Sequence, residues 1–216
     1  MAKPPLPYGL YALTDPELLP ESVLGERVAA AIAGGAGIVQ FRDKTATGAT
    51  LRRRARAVLE ACRAGGALCI INDDAALAAE LDADGVHLGR DDGDPAAARA
   101  IVGPDRLIGV SCYDRPELAR AAVAAGADYV AFGSVWPSET KPGAVRVSLG
   151  LLRGAARELP VPVVAIGGIT RDNAAETLAT GAHCAAVVRD LFGDPEPRAA
   201  ARVLSAACRR GGAALK

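Results

Sequence analysis

Short polar clusters interrupt the apolar runs of this chain, and their residue types suit the handling of a phosphorylated molecule. They are Arg42-Asp-Lys44, Asn72-Asp73-Asp74, Arg90-Asp-Asp92, Ser111 and the pair Gly167-Gly168. Asp73 and Asp92 offer hard oxygen ligands, which suit a cation that keeps part of its water shell, above all Mg²⁺. Arg42, Lys44 and Lys141 bring positive charge that, beside such a cation, would offset a pyrophosphate. Aspartates also cap helices, and Asp74 or Asp91 fits that plainer role. Arg90 and the arginine run at 52–54 read as solvated surface charge.

Gly167-Gly168 lets backbone amides approach an anion with no Cβ in the way, and Val188 with Arg189 would form a second wall. A plain tight turn is the alternative for the glycine pair. The two histidines, His87 and His183, belong to no H-E-x-x-H or nucleophile–histidine pattern and read as satisfied structural residues. The chemistry should therefore rest on positioning and charge stabilisation rather than on an imidazole base.

What must position these clusters is a series of buried strands. Apolar runs at 8–14, 37–42, 67–72, 84–89, 106–111, 128–133, 162–167 and 184–189 are nearly continuous rather than alternating. That is the pattern of parallel strands covered on both faces. Helical patterns lie between them: Leu51, Ala55, Val58, Leu59 and Cys62 share one face. Asp114 with Pro116, and Asp194 with Pro195, read as helix starts, and Thr170 as the cap of a helix running to Leu178. Gly65, Gly126 and Gly181 fall just past helix ends.

Ala-Gly-Gly-Ala at 33–36 and 64–67, Ala-Gly-Ala at 125–127 and Gly-Ala at 181–182 each join a helix to a strand. Repeated βα units of roughly 25 residues predict an α/β, single-domain (β/α)8 TIM barrel. A doubly wound sheet would carry a glycine-rich turn after its first strand, where this chain has Leu13-Thr14-Asp15-Pro16. In the barrel all the polar clusters open on one rim, the face on which barrel active sites are built.

The totals agree. The 216 residues read as one domain, 1–216, with flexible ends at 1–7 and 211–216. Twenty-five acidic and 25 basic residues cancel, which gives no support for nucleic-acid or membrane partners; a homo-oligomer stays open. The five scattered cysteines form no C-x-x-C pair and suggest packing thiols in a reducing compartment. The start lacks the apolar core of a signal peptide, and no run is long enough to cross a bilayer, so a cytoplasmic setting is expected.

Six blocks, in order over nearly the whole chain, resemble the thiamine phosphate synthase family. They are Gln40-Phe-Arg-Asp-Lys44, Asn72-Asp-Asp74, Asp84-Gly-Val-His-Leu-Gly-Arg-Asp-Asp92, Gly109-Val-Ser111, Pro137-Ser-Glu-Thr-Lys141 and Ile166-Gly-Gly-Ile-Thr170. The resemblance implies a barrel enzyme that condenses 4-amino-5-hydroxymethyl-2-methylpyrimidine diphosphate with a thiazole phosphate, or its carboxylated form, releasing pyrophosphate. It implies that Gln40, Arg42 and Lys44, with Asn72, Ser111 and Lys141, hold the pyrimidine diphosphate, and that Asp73 and Asp92 bind Mg²⁺. Arg42, Lys44, Ser111 and Lys141 would carry the catalysis. Ser138, Glu139 and Thr140 would contact the thiazole phosphate, its phosphate resting on Gly168 and the backbone around Val188 and Arg189.

Three positions depart from the family pattern. Ser138 stands where threonine is usual, Arg90 where glutamine is common, and Arg189 where serine often lies. A thiazole tautomerase paralogue and a non-catalytic barrel binding phosphorylated metabolites are the rival readings. Asp73, Asp92 and Lys141 together count against the first, because an isomerase has no departing diphosphate to neutralise. The stretch 137–143 is the expected cover of the site.

Overall fold

The computed structural model describes residues 3–89, 92–137 and 145–214. Its first half runs β1 (Gly9–Leu13), α1 (Glu21–Ala33), β2 (Ile38–Phe41), α2 (Gly48–Gly65), β3 (Leu68–Asn72), α3 (Ala75–Glu80), β4 (Gly85–Leu88) and α4 (Pro95–Val102). The second half runs β5 (Leu107–Tyr113), α5 (Pro116–Ala124), β6 (Tyr129–Phe132), α6 (Leu149–Glu158), β7 (Val163–Ile166), α7 (Ala174–Leu178), β8 (Cys184–Val187), α8 (Arg189–Phe192) and α9 (Pro197–Ala213). All eight strands are parallel and pair in chain order, and β8 closes on β1 through Gly9 opposite Cys184. The molecule is a single-domain (β/α)8 barrel, and each predicted strand is present within two residues at either end.

Two apolar cores follow from the period-2 alternation of the strands. Tyr11, Ile38, Ile70, Leu107, Tyr129 and Val164 point inward and fill the barrel. Ala12, Val39, Ile71, Val86, Ile108 and Val130 point outward and meet the helices. Helix starts are set by side chains that accept orphan amides: Asp74 from Leu77 N at 2.8 Å, Asp94 from Ala96 N at 3.2 Å and Ser148 from Leu151 N at 3.1 Å.

Several expected boundaries shift. Arg115, not Asp114, precedes α5, although Pro116 does occupy its first turn. Asp194 accepts from Glu196 N at 2.9 Å, and α9 starts three residues after it, at Pro197. Thr170 does not cap α7 directly; Asn173 does, and its Oδ1 accepts from Thr170 N at 2.8 Å across an intervening turn. The left-handed residue ending α2 is Gly66, one past the expected Gly65. Arg189 opens α8 instead of ending β8.

At both described ends a buried residue lies among exposed ones. Leu6 is buried beneath the barrel, and α9 extends over the expected loose end to Ala213 with Gly211 buried. All five cysteines are free and buried. Among the described residues, no helix is long and apolar enough to cross a membrane.

Candidate active site

The C-terminal ends of β2, β3, β4 and β5 surround a cavity of about 320 Å³ at the barrel mouth. Gln40, Arg42, Lys44, Asn72, Asp73, Asp92 and Ser111 all line it, so the seven residues expected on this side of the rim meet at one place. Apolar side chains from the other strands, Leu13, Val164 and Ile166 among them, complete the wall.

Each charged group is held by local structure. Thr14, just past β1, donates its hydroxyl to Arg42 O at 3.1 Å and accepts from Arg42 N at 2.8 Å, which stitches Arg42 to the neighbouring strand. Between Arg42 and Lys44, Asp43 points away from the cavity. Its Oδ1 accepts from Thr45 N, Thr45 Oγ1 and Ala46 N at 2.8–2.9 Å, and its Oδ2 lies 2.7 Å from Arg54 Nε. That last contact is ionic rather than a well-aligned hydrogen bond. Burial pushes the Asp43 carboxyl up, but those amides, the Thr45 hydroxyl and the Arg54 charge outweigh it and hold it below its usual range. Arg54 itself is buried and also donates to Leu19 O at 2.9 Å. The reading of 52–54 as solvated charge is therefore wrong for Arg54, which braces the loop that carries Arg42 and Lys44.

The aspartates are arranged with similar care. Asp73 takes a left-handed backbone, φ 66°, uncommon for a residue with a side chain, and its carboxylate lies 2.9 Å from Lys44 Nζ. Asp92 folds back so that its Oδ2 accepts from Gly89 N at 2.8 Å. A Cβ at residue 89 would lie 2.6 Å from that oxygen, so a side chain there would push the Asp92 carboxylate off the amide. Burial raises the Asp92 carboxyl above its ordinary range, and the Asp73 carboxylate beside it raises it further, partly offset by Gly89 N–H and Lys44. Two carboxylates set against each other favour an added cation. No group of three acidic, histidine or cysteine ligands occurs among the described residues. Two protein oxygens leave room for water and phosphate oxygens, the donor set Mg²⁺ prefers.

Below the charged rim lie Tyr11 and Tyr129, which the sequence reading leaves out, and His87, which it takes as structural. Gln40 Nε2 donates to the Tyr11 hydroxyl at 3.1 Å, which sits 3.0 Å from the Tyr129 hydroxyl. That hydroxyl is 3.1 Å from His87 Nδ1, and His87 Nε2 is 2.9 Å from Ser111 Oγ. Burial pushes the His87 imidazole down to about 4, against a smaller opposing pull from Asp92, so it is neutral at physiological pH. Both histidines are hydrogen-bonded, His183 through Nε2 to Leu6 O at 2.8 Å. Yet His87 is more than a core residue, because its partner Ser111 faces the cavity. The available signal was a tyrosine or histidine at inward-facing strand positions, whose polar tip needs a partner inside the barrel.

The far wall is built differently. Gly167 and Gly168 both have positive φ, and a Cβ on either would strike the chain at 134–137. That chain runs along the end of β7 through Val135 N to Ile166 O and Trp136 N to Gly167 O, both 3.0 Å. Close backbone packing thus demands this glycine pair. Val188 is the cap of α8 and Arg189, its first residue, is exposed. Gly168, Val188 and Arg189 are not among the residues lining the 320 Å³ cavity. Ser138, Glu139, Thr140, Lys141 and Arg90 lie outside the described residues, as does most of the expected cover at 137–143.

Known proteins match over almost the full chain. The family model for thiamine monophosphate synthase matches residues 10–191. The thiamine-phosphate synthase of Chromobacterium violaceum is 52% identical over 202 residues, covering 94% of this chain and 97% of that protein. That of Methylobacillus flagellatus is 52% identical over 199 residues, 92% of this chain and 94% of its own. Among solved structures, thiamine phosphate pyrophosphorylase from Pyrococcus furiosus superimposes with a TM-score of 0.86 at 35% identity, covering 95% of this chain and 97% of that one. With its barrel, its rim and these relatives in agreement, the chain belongs to the thiamine monophosphate synthase family.

Proposed function

We propose that this enzyme makes thiamine phosphate by joining 4-amino-5-hydroxymethyl-2-methylpyrimidine diphosphate to 4-methyl-5-(2-phosphoethyl)thiazole, or its carboxylated form, with release of pyrophosphate and, from the carboxylated form, of CO2 as well. The observation that carries the reading is the gathering of Arg42, Lys44, Asn72, Asp73, Asp92 and Ser111 around one cavity. Asp73 and Asp92 would hold Mg²⁺, which supplies charge neutralisation to the diphosphate. Arg42 and Lys44, with Lys141, bind its oxygens; a unit-charge pair 4 Å apart near a protein surface interacts by about 4 kcal/mol. Gln40, Asn72 and Ser111 orient the pyrimidine ring, and Ser138, Glu139, Thr140 and Gly168, with the backbone at Val188 and Arg189, receive the thiazole phosphate.

The bond order follows from these roles. The methylene C–O bond breaks and its electron pair leaves with pyrophosphate, which the cationic residues stabilise. The aminopyrimidine ring delocalises the positive charge left on the methylene. The thiazole nitrogen then donates its lone pair to form the C–N bond. No nucleophilic side chain is needed, and the apolar wall from Leu13, Val164 and Ile166 helps keep competing water out. Five free, buried cysteines fit our assignment of the enzyme to the reducing cytosol.

Purified protein mixed with both substrates and Mg²⁺ should yield coupled product and pyrophosphate in equal amounts. Isomerised thiazole without pyrophosphate would identify a tautomerase instead. Saturable binding with no turnover would identify a binding protein.

A further inference from the structure

Four hydrogen bonds cross the barrel interior in single file, from Gln40 on β2 through Tyr11, Tyr129 and His87 to Ser111 on β5. Gln40, His87 and Ser111 touch the cavity, whereas Tyr129 is wholly buried. The strands make space for this file. Gly109 is the register partner of Tyr129, and a Cβ there would overlap the phenol ring and its hydroxyl. β5 therefore lacks a side chain at the point where the phenol must pass.

Counting hydrogens makes the four links run one way together, and the orientation of the Gln40 amide sets which way. Each tyrosine hydroxyl has one hydrogen, and so does a neutral imidazole. The Tyr11 oxygen accepts the Gln40 amide hydrogen, so the Tyr11 hydrogen goes to Tyr129 and the Tyr129 hydrogen to His87 Nδ1. The imidazole hydrogen then sits on Nε2 and is donated to Ser111 Oγ. Reversing one link alone would set two hydrogens, or two lone pairs, against each other in a buried position. The ends are thereby fixed: Gln40 keeps its Oε1, an acceptor, for the cavity, and Ser111 keeps its hydroxyl hydrogen, a donor.

We propose that Tyr11, Tyr129 and His87 are positioning residues that lock this acceptor-and-donor pattern, and that the pattern selects a 4-aminopyrimidine over its 4-oxo counterpart. An aminopyrimidine presents an amino N–H and an unprotonated ring nitrogen. The oxo compound presents a carbonyl oxygen and a ring N–H, the opposite pattern. A free glutamine would flip its amide to suit either; here a flip must reverse all four hydrogen bonds together. The selectivity rests on the pyrimidine reading given above, while the direction of the file does not.

Two measurements separate these claims. Nitrogen-15 NMR of histidine-labelled, ligand-free protein, with His183→Asn used for assignment, should find the His87 hydrogen on Nε2. Competition between the 4-amino and 4-oxo pyrimidine diphosphates should favour the amino compound in the wild type. Tyr129→Phe should shrink that preference about tenfold, the worth of one net hydrogen bond. Tyr11→Phe, which also frees Gln40, serves if Tyr129→Phe does not fold. A His87 hydrogen on Nδ1, or an unchanged preference in the folded variant, overturns the proposal. If the wild type bound neither compound, the pyrimidine reading and the selectivity would fall, yet the tautomer would still decide the direction of the file.

Discussion

The two sides of the barrel mouth, each of which we propose to hold an anion, are built from different materials. On the β2–β4 side the tools are charged side chains that already engage one another: Lys44 with Asp73, Asp73 with Asp92, Asp92 with Gly89 N, and Asp43 with Arg54 behind them. On the β7–β8 side they are backbone, with two glycines pressed against 134–137 and an ion-pair brace in which Arg171 holds Asp190 at 3.1 Å and Asp194 at 2.9 Å. Side-chain charge gives strength that a metal and a diphosphate can use. Packed backbone gives shape, and it tolerates almost no added atom.

The comparison breaks most directly at Asp92. Asp92→Ala should lower Mg²⁺-dependent kcat by roughly 10²–10³-fold, the loss typical of one charge-stabilising group, with an unchanged circular dichroism spectrum. Wild-type turnover by that variant would remove the metal assignment. Behind the same wall, Arg54→Ala would leave the buried Asp43 carboxylate without its countercharge. A cost of about 3–5 kcal/mol in urea unfolding is expected. Among molecules that stay folded, KM for the pyrimidine diphosphate should rise, because Arg42 and Lys44 flank Asp43 on the loosened loop.

The opposite wall should fail by shape. Gly168→Ala must adopt φ 62° and also crowd the Pro137 and Trp136 carbonyls. A destabilisation of roughly 1–3 kcal/mol follows from the strained backbone. If the thiazole phosphate rests there, its KM should rise while the pyrimidine diphosphate KM holds. Equal effects on both substrates would mean the two walls are not separate subsites.

How much of this could be read from residue order alone depends on the kind of interaction. The strands were plain because both faces of each are apolar, and the rim residues because polar groups recur at strand ends. Gln40, Arg42, Lys44, Asn72, Asp73, Asp92 and Ser111 were all found in this way or by resemblance. The file beneath them was not, since Tyr11, Tyr129 and His87 are far apart in sequence and meet only when β8 closes on β1. Caps shifted by one to three residues because an aspartate serves a turn as readily as a helix start, as Asp194 does. The role of Gly167-Gly168 could be guessed as a need for bare backbone, but not that 134–137 is what presses on it.

The arginine run at 52–54 gives the finest contrast. On α2 the apolar stripe of Leu51, Ala55, Val58 and Cys62 has period 3.6, and Arg54 stands three residues after Leu51 and four before Val58, on the same face. Periodicity therefore assigns Arg54 to the barrel and its two neighbours to solvent. Arg53 pairs with Glu21 and Arg52 with Glu80, and all four side chains are exposed. Exposed pairs of this kind contribute little, because water already solvates both charges and salt screens them. Arg53→Ala should leave both the urea midpoint and KM for the pyrimidine diphosphate at wild-type values, beside the large losses at Arg54. A comparable loss at both positions would mean that α2 braces the rim through its whole charged surface rather than through one buried guanidinium.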